Sequence, residues 1–395
     1  MTTTRDIDLR VPATYRKGLP LDDFDWLREN APVYWHPDED GGFWTLTRHA
    51  DVLRVARDPA AFSAAPTTML SDADTLGDAD HKHLMFRDPP SHTEHRKTLV
   101  RDFLPGAARA MRPRVDELTS GIVDAVSHRE TCDLVTDLAG PLVSSVIAEL
   151  IGIPIQDGIE LYRLTELTLH SEGWNDGSAA RALQDIYGYA RALWANRAAN
   201  PTDDLASRLV HGYIGDHKID ETDFDLYFLL LLNAGGDTSR NAISGGMAGL
   251  LEHPDQVSDL RQNLVEVIPT TVDEMIRWVS PLIYQRRTAM RDTEVGGQAI
   301  VAGQRVVMFY SAANYDPAEF DNPREFNSRR APNHHVSFGG TGPHLCLGMH
   351  LARVEIASMV SALITRFPGM RLDGEITYNE SPIISGPASV PIRLR

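Results

Sequence analysis

At 395 residues, 42% of them hydrophobic, the chain can bury a large core and has the composition of an ordinary globular protein. Its 38 Lys and Arg against 55 Asp and Glu give a net charge of −17, which disfavours a phosphate-binding surface and so a nucleic-acid partner. Met1 to Asp6 carry no apolar core, the longest apolar stretch is read around Phe228 to Leu232, and neither a signal peptide nor a membrane anchor is expected.

Two cysteines, Cys132 and Cys346, make no disulfide framework, so a reducing cytoplasm is the expected location. No linker, repeat or low-complexity tract divides the chain. A single domain over residues 1–395, mainly α with small β-sheets, is expected.

Near the N-terminus, Val33-Tyr34-Trp35 and Phe43 to Thr47 gather strand formers around Pro37 to Gly42, a hairpin pattern. Ser71 to Asp80 superficially suggests a calcium loop, but Leu76 and His83 stand where oxygen ligands belong, so a solvated acidic loop is the better reading. From Asp88 onward helical periodicity dominates, at about 91–104, 106–128, 140–152, 178–198, 221–252, 255–278 and 346–366. Short strands return around Glu294–Val307 and near the C-terminus.

Four motifs carry chemistry. Asp88 to Arg96 sets His92 and Arg96 at i, i+4 on a helix opening after Pro89-Pro90; solvation on a surface is the alternative. Ala234-Gly235-Gly236-Asp237-Thr238 lies inside a long helix whose first half, Tyr227 to Leu232, is apolar all round. Paired glycines there cost about 1 kcal/mol each against Ala, so packing or function must explain them. Thr238 can bond a carbonyl one turn back, and an acid beside an alcohol suits proton delivery. Glu274 and Arg277 at i, i+3 can form a charge-assisted pair, a spacing equally common on surfaces.

The fourth motif is Phe338-Gly339-Gly340-Thr341-Gly342-Pro343-His344-Leu345-Cys346-Leu347-Gly348, followed by a helical pattern from Met349 to Arg366. A thiol just before a helix start meets the positive end of the dipole and nearby N–H groups, which favour thiolate. The glycines let the backbone pass close to a flat partner. A lone Cys near glycines is as readily a small buried hydrophobe.

Taken together, in this order and at these distances, the motifs resemble the cytochrome P-450 superfamily, from about Pro20 to the C-terminus. The resemblance implies the P-450 fold, with a long central helix over heme b and Cys346 as the iron ligand. Phe338, Gly342, His344 and Gly348 occupy the loop pattern's places. Ala234 and Gly235 would leave room for dioxygen, while Asp237 and Thr238 organise protons. His92, Arg96, Arg287 and His344 would meet the heme propionates, with His335 as a weaker candidate. Glu274 and Arg277 would join a downstream arginine, Arg330 or its neighbour Arg329, in a buried triad behind the heme loop. Phe338 lies eight residues before Cys346 where many soluble members have seven, a loop similar to that of an actinobacterial branch acting on sterol side chains and other lipids.

The activity so implied is insertion of one oxygen atom from O2 into a hydrophobic small molecule, with a steroid, lipid or terpenoid favoured. Electrons would come from NAD(P)H through a separate reductase and a ferredoxin, docked near Lys97, Arg101 and Arg353 on a monomer. A peroxygenase, isomerase or oxidative coupling enzyme would share Cys346; Asp237 and Thr238 together favour the monooxygenase. Family topology points to 64–85, 167–174, 229–234, 282–284 and 383–385 for substrate contacts.

Overall fold

The structure, a computed structural model, describes residues 5, 7–38, 41–70, 83–169 and 176–395. Thirteen α-helices are described: α1 Leu21–Asn30, α2 His49–Ala56, α3 Ser91–Val100, α4 Pro105–Val126, α5 Gly140–Ile151, α6 Ile155–Leu169, α7 Ser178–Ala199, α8 Leu205–Val210, α9 Glu221–Leu251, α10 Pro254–Gln262, α11 Leu264–Val279, α12 Tyr310–Ala313 and α13 Met349–Arg366. The expected order of helices is present. Five go beyond it: α1, α2, α6, α8 and α12, whose apolar residues are too few or too irregularly spaced to stand out.

One boundary is corrected. The single helix expected over 255–278 is broken at Asn263, which leaves helical geometry at φ −124° and ψ 35° and bonds its own side chain to Asp259. The last helix runs from Met349 to Arg366, as its pattern predicts, with Gly348 as its N-cap, so the thiol stands just before it. Phe228 to Leu232 is an uninterrupted apolar run, but the more apolar 18-residue helical segment lies elsewhere. Leu134–Ile151, a π turn running into α5, is long and apolar enough to cross a membrane by composition, but 72% of it is buried inside the fold. Ser71 to Asp80 lies outside the described residues.

Helix α9, 31 residues long, is the axis of the molecule. Asp220 and Asp223 close a capping box at its start, and Phe224 through Leu232 are buried on every side. Its first half packs in one apolar cluster with α5 to α8. Its second half packs in another with α4, α11 and α13. These clusters place residues 233–238 where the two halves meet.

The predicted hairpin pairs β1 (Val33–His36) with β2 (Phe43–Leu46), Trp35 opposite Trp44. It continues into a five-stranded sheet of order β1-β2-β10-β7-β3, where β3 is Phe62–Ser63, β7 Tyr284–Ala289 and β10 Arg305–Phe309. Every residue of β10 is buried, as befits a central strand. The expected strand region Glu294–Val307 holds β8 (Thr293–Val295), β9 (Gln298–Ile300) and most of β10. A three-stranded sheet joins β4 (Thr131–Asp133) to strands near the C-terminus.

Gly246 sets how closely α9 and α11 approach, because a Cβ added there would lie 2.5 Å from the Met275 Cβ, too close for two carbons. Gly246→Val should therefore destabilise the protein by about 1–3 kcal/mol. The check is the midpoint of urea unfolding, with Gly188→Val, where a Cβ meets nothing within 4 Å, as the helix-propensity control.

Candidate active site

The loop before α13 turns back on itself through main-chain bonds. Gly339 N donates to Val336 O at 2.8 Å, Cys346 N to Phe338 O at 2.9 Å and Leu345 N to Gly342 O at 3.2 Å. Gly339, Gly340 and Gly342 all have positive φ, at 88°, 68° and 106°. Gly340 and Gly342 also meet protein closely. A Cβ on Gly342 would lie 2.3 Å from the Ala56 carbonyl oxygen, and one on Gly340 would lie 2.7 Å from Leu53 Cδ2. The longer loop therefore packs against α2, and that contact demands these two glycines.

Cys346 keeps an accessible surface although protein surrounds its sulfur densely. Burial pushes the thiol pKa up. The Gly348 and Met349 N–H groups and the Arg96 and Arg353 guanidiniums pull it down without prevailing. The N–H groups at the helix start favour thiolate as expected, but without a metal on the sulfur desolvation outweighs them. A Lewis acid on the sulfur reverses the balance, since a coordinated thiol loses its proton. Gly348 leaves the sulfur uncovered, its missing Cβ falling 3.9 Å from Sγ. Cys132 offers no rival, being buried with its thiol pushed up to about 12.

Behind this loop Arg277 grips Glu274 with two bonds of 2.8 Å, and neither side chain has any exposed surface. Arg330 reaches the same carboxylate at 3.0 Å, as do the Asn327 N–H at 2.9 Å and Asn333 Nδ2 at 3.1 Å. Arg277 also donates to the carbonyls of Asn314 and Pro323. Arg330 is therefore the third member of the triad; Arg329 lies on the surface, paired with Asp259 and Glu266. His335 is buried beside Phe338, its Nε2 3.6 Å from Asp273, whose carboxylate also takes Arg353 at 2.8 Å. Arg353 is thus tied inward over the Phe338 ring, not free on a docking face, and Lys97 is paired with Glu94.

A cationic cluster lies beside the loop. The rings of His92 and His344 are 4.2 Å apart, and His92 Nδ1 and His344 Nε2 are buried without hydrogen-bond partners. Arg287, from β7, is buried, and among the described residues its guanidinium bonds only the Arg286 carbonyl, while Arg96 makes no hydrogen bond or ion pair among them. Burial, reinforced by the arginines, pushes His92 down to about 4 and His344 down to about 2, so both are neutral. The nearest acid, Asp88, is held by Ser63 and the Ala64 N–H. Two guanidiniums and two unpartnered imidazole nitrogens without an anion of their own suit the two carboxylates of heme, so the residues fit that group.

On α9, Ala234 is exposed in a stretch whose flanks are buried, and Thr238 Oγ donates to the Ala234 carbonyl at 2.9 Å. Gly235 and Gly236 face elsewhere. Added Cβ atoms would lie 2.6 Å from Ile147 Cδ1 and 2.8 Å from Tyr162 Cε2, so both glycines admit α5 and α6, and the room expected at Gly235 is taken by Ile147. Asp237 is buried and held at Oδ1 by Tyr162 OH at 3.0 Å and by Arg240 at 3.2 Å; Arg240 continues to Glu166, which is one-third exposed. Of the substrate-facing segments, 282–284 and 383–385 are joined by a bridge between Leu282 and Ile384, and Asn241 of α9 bonds the Ser385 carbonyl. Residues 71–82 and 170–175 lie outside the described residues.

With this geometry stand three comparisons. Residues 178–375 match the family model for cytochrome P450. A steroid C26-monooxygenase of Rhodococcus jostii is 35% identical over 381 residues, covering 93% of this chain and 80% of that protein. A linalool 8-monooxygenase of Pseudomonas putida is 32% identical, with 96% of each covered. Among solved structures, a Mycobacterium marinum cytochrome P450 in complex with pseudoionone superposes with a TM-score of 0.90 at 30% identity, over 99% of this chain and 100% of that one. The chain belongs to the cytochrome P450 family. It is an oxidoreductase of the monooxygenase type, and its cofactor is heme b.

Sequence reasoning missed Tyr162, Arg240 and Glu355. The first two carry no motif, because they reach Asp237 from α6 and from one turn along α9. Glu355, on α13, is buried with Oε2 unpartnered, and burial pushes its carboxyl up to about 8 against a single bond from Ser239. An acid in a helix otherwise reads as a surface residue.

Two expectations follow. Glu274→Ala leaves two buried guanidiniums without their carboxylate and should cost about 3–5 kcal/mol, giving heme-poor protein by absorbance and a lowered melting temperature. Glu355 is neutral when folded and ionised when unfolded, so its contribution is present below pH 4.5 and is lost as pH rises towards 8. Glu355→Gln should gain on wild type by a few kcal/mol at pH 8 and by little at pH 4.5, read from unfolding midpoints at the two pH values.

Proposed function

We propose that this P450 hydroxylates a hydrophobic small molecule of the steroid, lipid or terpenoid class, with Cys346 holding the heme iron and a ferredoxin and its NAD(P)H-dependent reductase supplying electrons. The observation that carries the reading is the pairing of an accessible thiol under two helix-start N–H groups with an anion-free cluster of Arg96, Arg287, His92 and His344. Heme bound there supplies O2 activation and insertion of one oxygen atom into a C–H bond.

The chain supplies position and protons. Gly348 and Met349 N–H groups orient the sulfur, and the Glu274 network fixes the loop that presents it. Thr238 donates its own hydrogen to Ala234, so its oxygen lone pairs are left to hold a water in the groove. Both bonds to Asp237 fall on Oδ1, which leaves Oδ2 as the atom to accept and pass a proton. Glu166, at the far end of the ion-pair chain, is exposed enough to exchange with solvent. The substrate class is supported by the steroid and linalool monooxygenases among the relatives. Docking of an electron donor near the loop is supported by exposed Arg57, bonded to Thr341, and by exposed Arg101.

Cys346→Ser should remove the red-shifted absorption of the reduced carbon-monoxide complex, and its survival would assign the ligand elsewhere. Thr238→Ala should keep NADH oxidation while product per NADH falls about ten-fold or more and peroxide rises correspondingly. Asp237→Asn should slow turnover by about 100-fold. Product and peroxide per NADH, measured with surrogate ferredoxin partners, check both. Tight coupling in both variants would favour the peroxygenase or isomerase chemistry.

A further inference from the structure

Tyr310 opens α12 directly after β10, and no motif in the sequence marks it. The residue is 2% exposed and packs in the apolar cluster that holds Val306, Met308 and Val336. Its hydroxyl ends at the cysteine loop. A Cβ on Gly339 would lie 3.9 Å from the Tyr310 oxygen and 3.4 Å from the His344 carbonyl oxygen, so the phenol stands beside both residues. Arg287, whose charge bears on His92 and His344, bears on this hydroxyl too. Among the described residues the hydroxyl makes no hydrogen bond. A buried hydroxyl without a partner costs about 1–3 kcal/mol, so packing alone would be better served by Phe.

Burial pushes the phenol pKa up against the pull of Arg287, so the group keeps its proton and can donate it. Arg287 cannot take that proton, because a guanidinium has no lone pair to accept it. An anion that accepts from both groups satisfies the pair. A carboxylate has about four lone-pair sites, more than one guanidinium fills, and Arg287 already spends Nη1 on the Arg286 carbonyl. Resting on the placement of the heme carboxylates among Arg96, Arg287, His92 and His344, we infer that the Tyr310 hydroxyl donates a hydrogen bond to one propionate. Tyr310 is thus a further cofactor-binding residue, brought to the loop from the end of the five-stranded sheet. A bond of this kind, to a charged acceptor, is about twice as strong as one between neutral groups.

The test uses the heme-loaded protein and Tyr310→Phe, which removes one oxygen and keeps the ring. Transfer of heme to excess apomyoglobin gives the off-rate, which should rise about 10-fold. The propionate-bending band of the resonance Raman spectrum should fall in frequency, since the carboxylate has lost a donor. A role in packing alone would leave that band in place. Arg287→Ala is measured alongside, because it removes a donor from the same carboxylate. If the band moves in Arg287→Ala and stays in Tyr310→Phe, whatever the off-rate, the inference is overturned and the cluster stands. If the band stays in both variants, the propionates lie elsewhere, and the placement beneath the inference falls with it.

Discussion

The buried carboxylate of Glu274 is the constraint on which the site depends. It collects Arg277, Arg330, the Asn327 main chain and Asn333 from four places in the sequence, with no water to compete. Ions so deeply placed are tolerated only when every partner is present and well aligned, so the segment 314–333 has little freedom once the triad closes. That segment leads directly into Val336 and Phe338, whose carbonyls anchor the cysteine loop. The thiol's position is thus inherited from an ion-pair network that never touches it.

Helix α9 answers a different demand. A helix buried over most of its length would ordinarily be apolar throughout, and its first half is. Around Ala234 it opens a small face, and the polar groups needed there are held in place from outside. Tyr162 and Arg240 fix Asp237, while Thr238 fixes itself to the preceding turn. The paired glycines belong to this arrangement by subtraction: without them Ile147 and Tyr162 could not approach, and Asp237 would lose the hydroxyl that orients it.

Electrostatics are also divided by place. A chain of net charge −17 concentrates uncompensated positive charge at one internal spot, around Arg96 and Arg287. The two imidazoles between them remain neutral because burial and the guanidiniums both oppose a further proton. An anion, not an acid side chain, is what completes such a cluster. The same logic of desolvation explains why the Cys346 thiol is raised despite its helix-start position.

Local spacing was enough to determine much of this protein. The hairpin at 33–46, the long helix over 221–251, the triad's i, i+3 pair and the loop around Cys346 were all legible, because each depends on neighbours within one or two turns. The break at Asn263 was not, since a periodic apolar pattern runs through it. Only the tertiary structure decided which arginine completes the triad, why Gly342 cannot bear a side chain and what holds Asp237. Arg329 and Arg330 are equivalent as sequence, yet one meets solvent-facing acids and the other a sealed carboxylate. Such choices rest on contacts between residues tens to hundreds of positions apart, where packing and desolvation, rather than helical or strand period, set the energy.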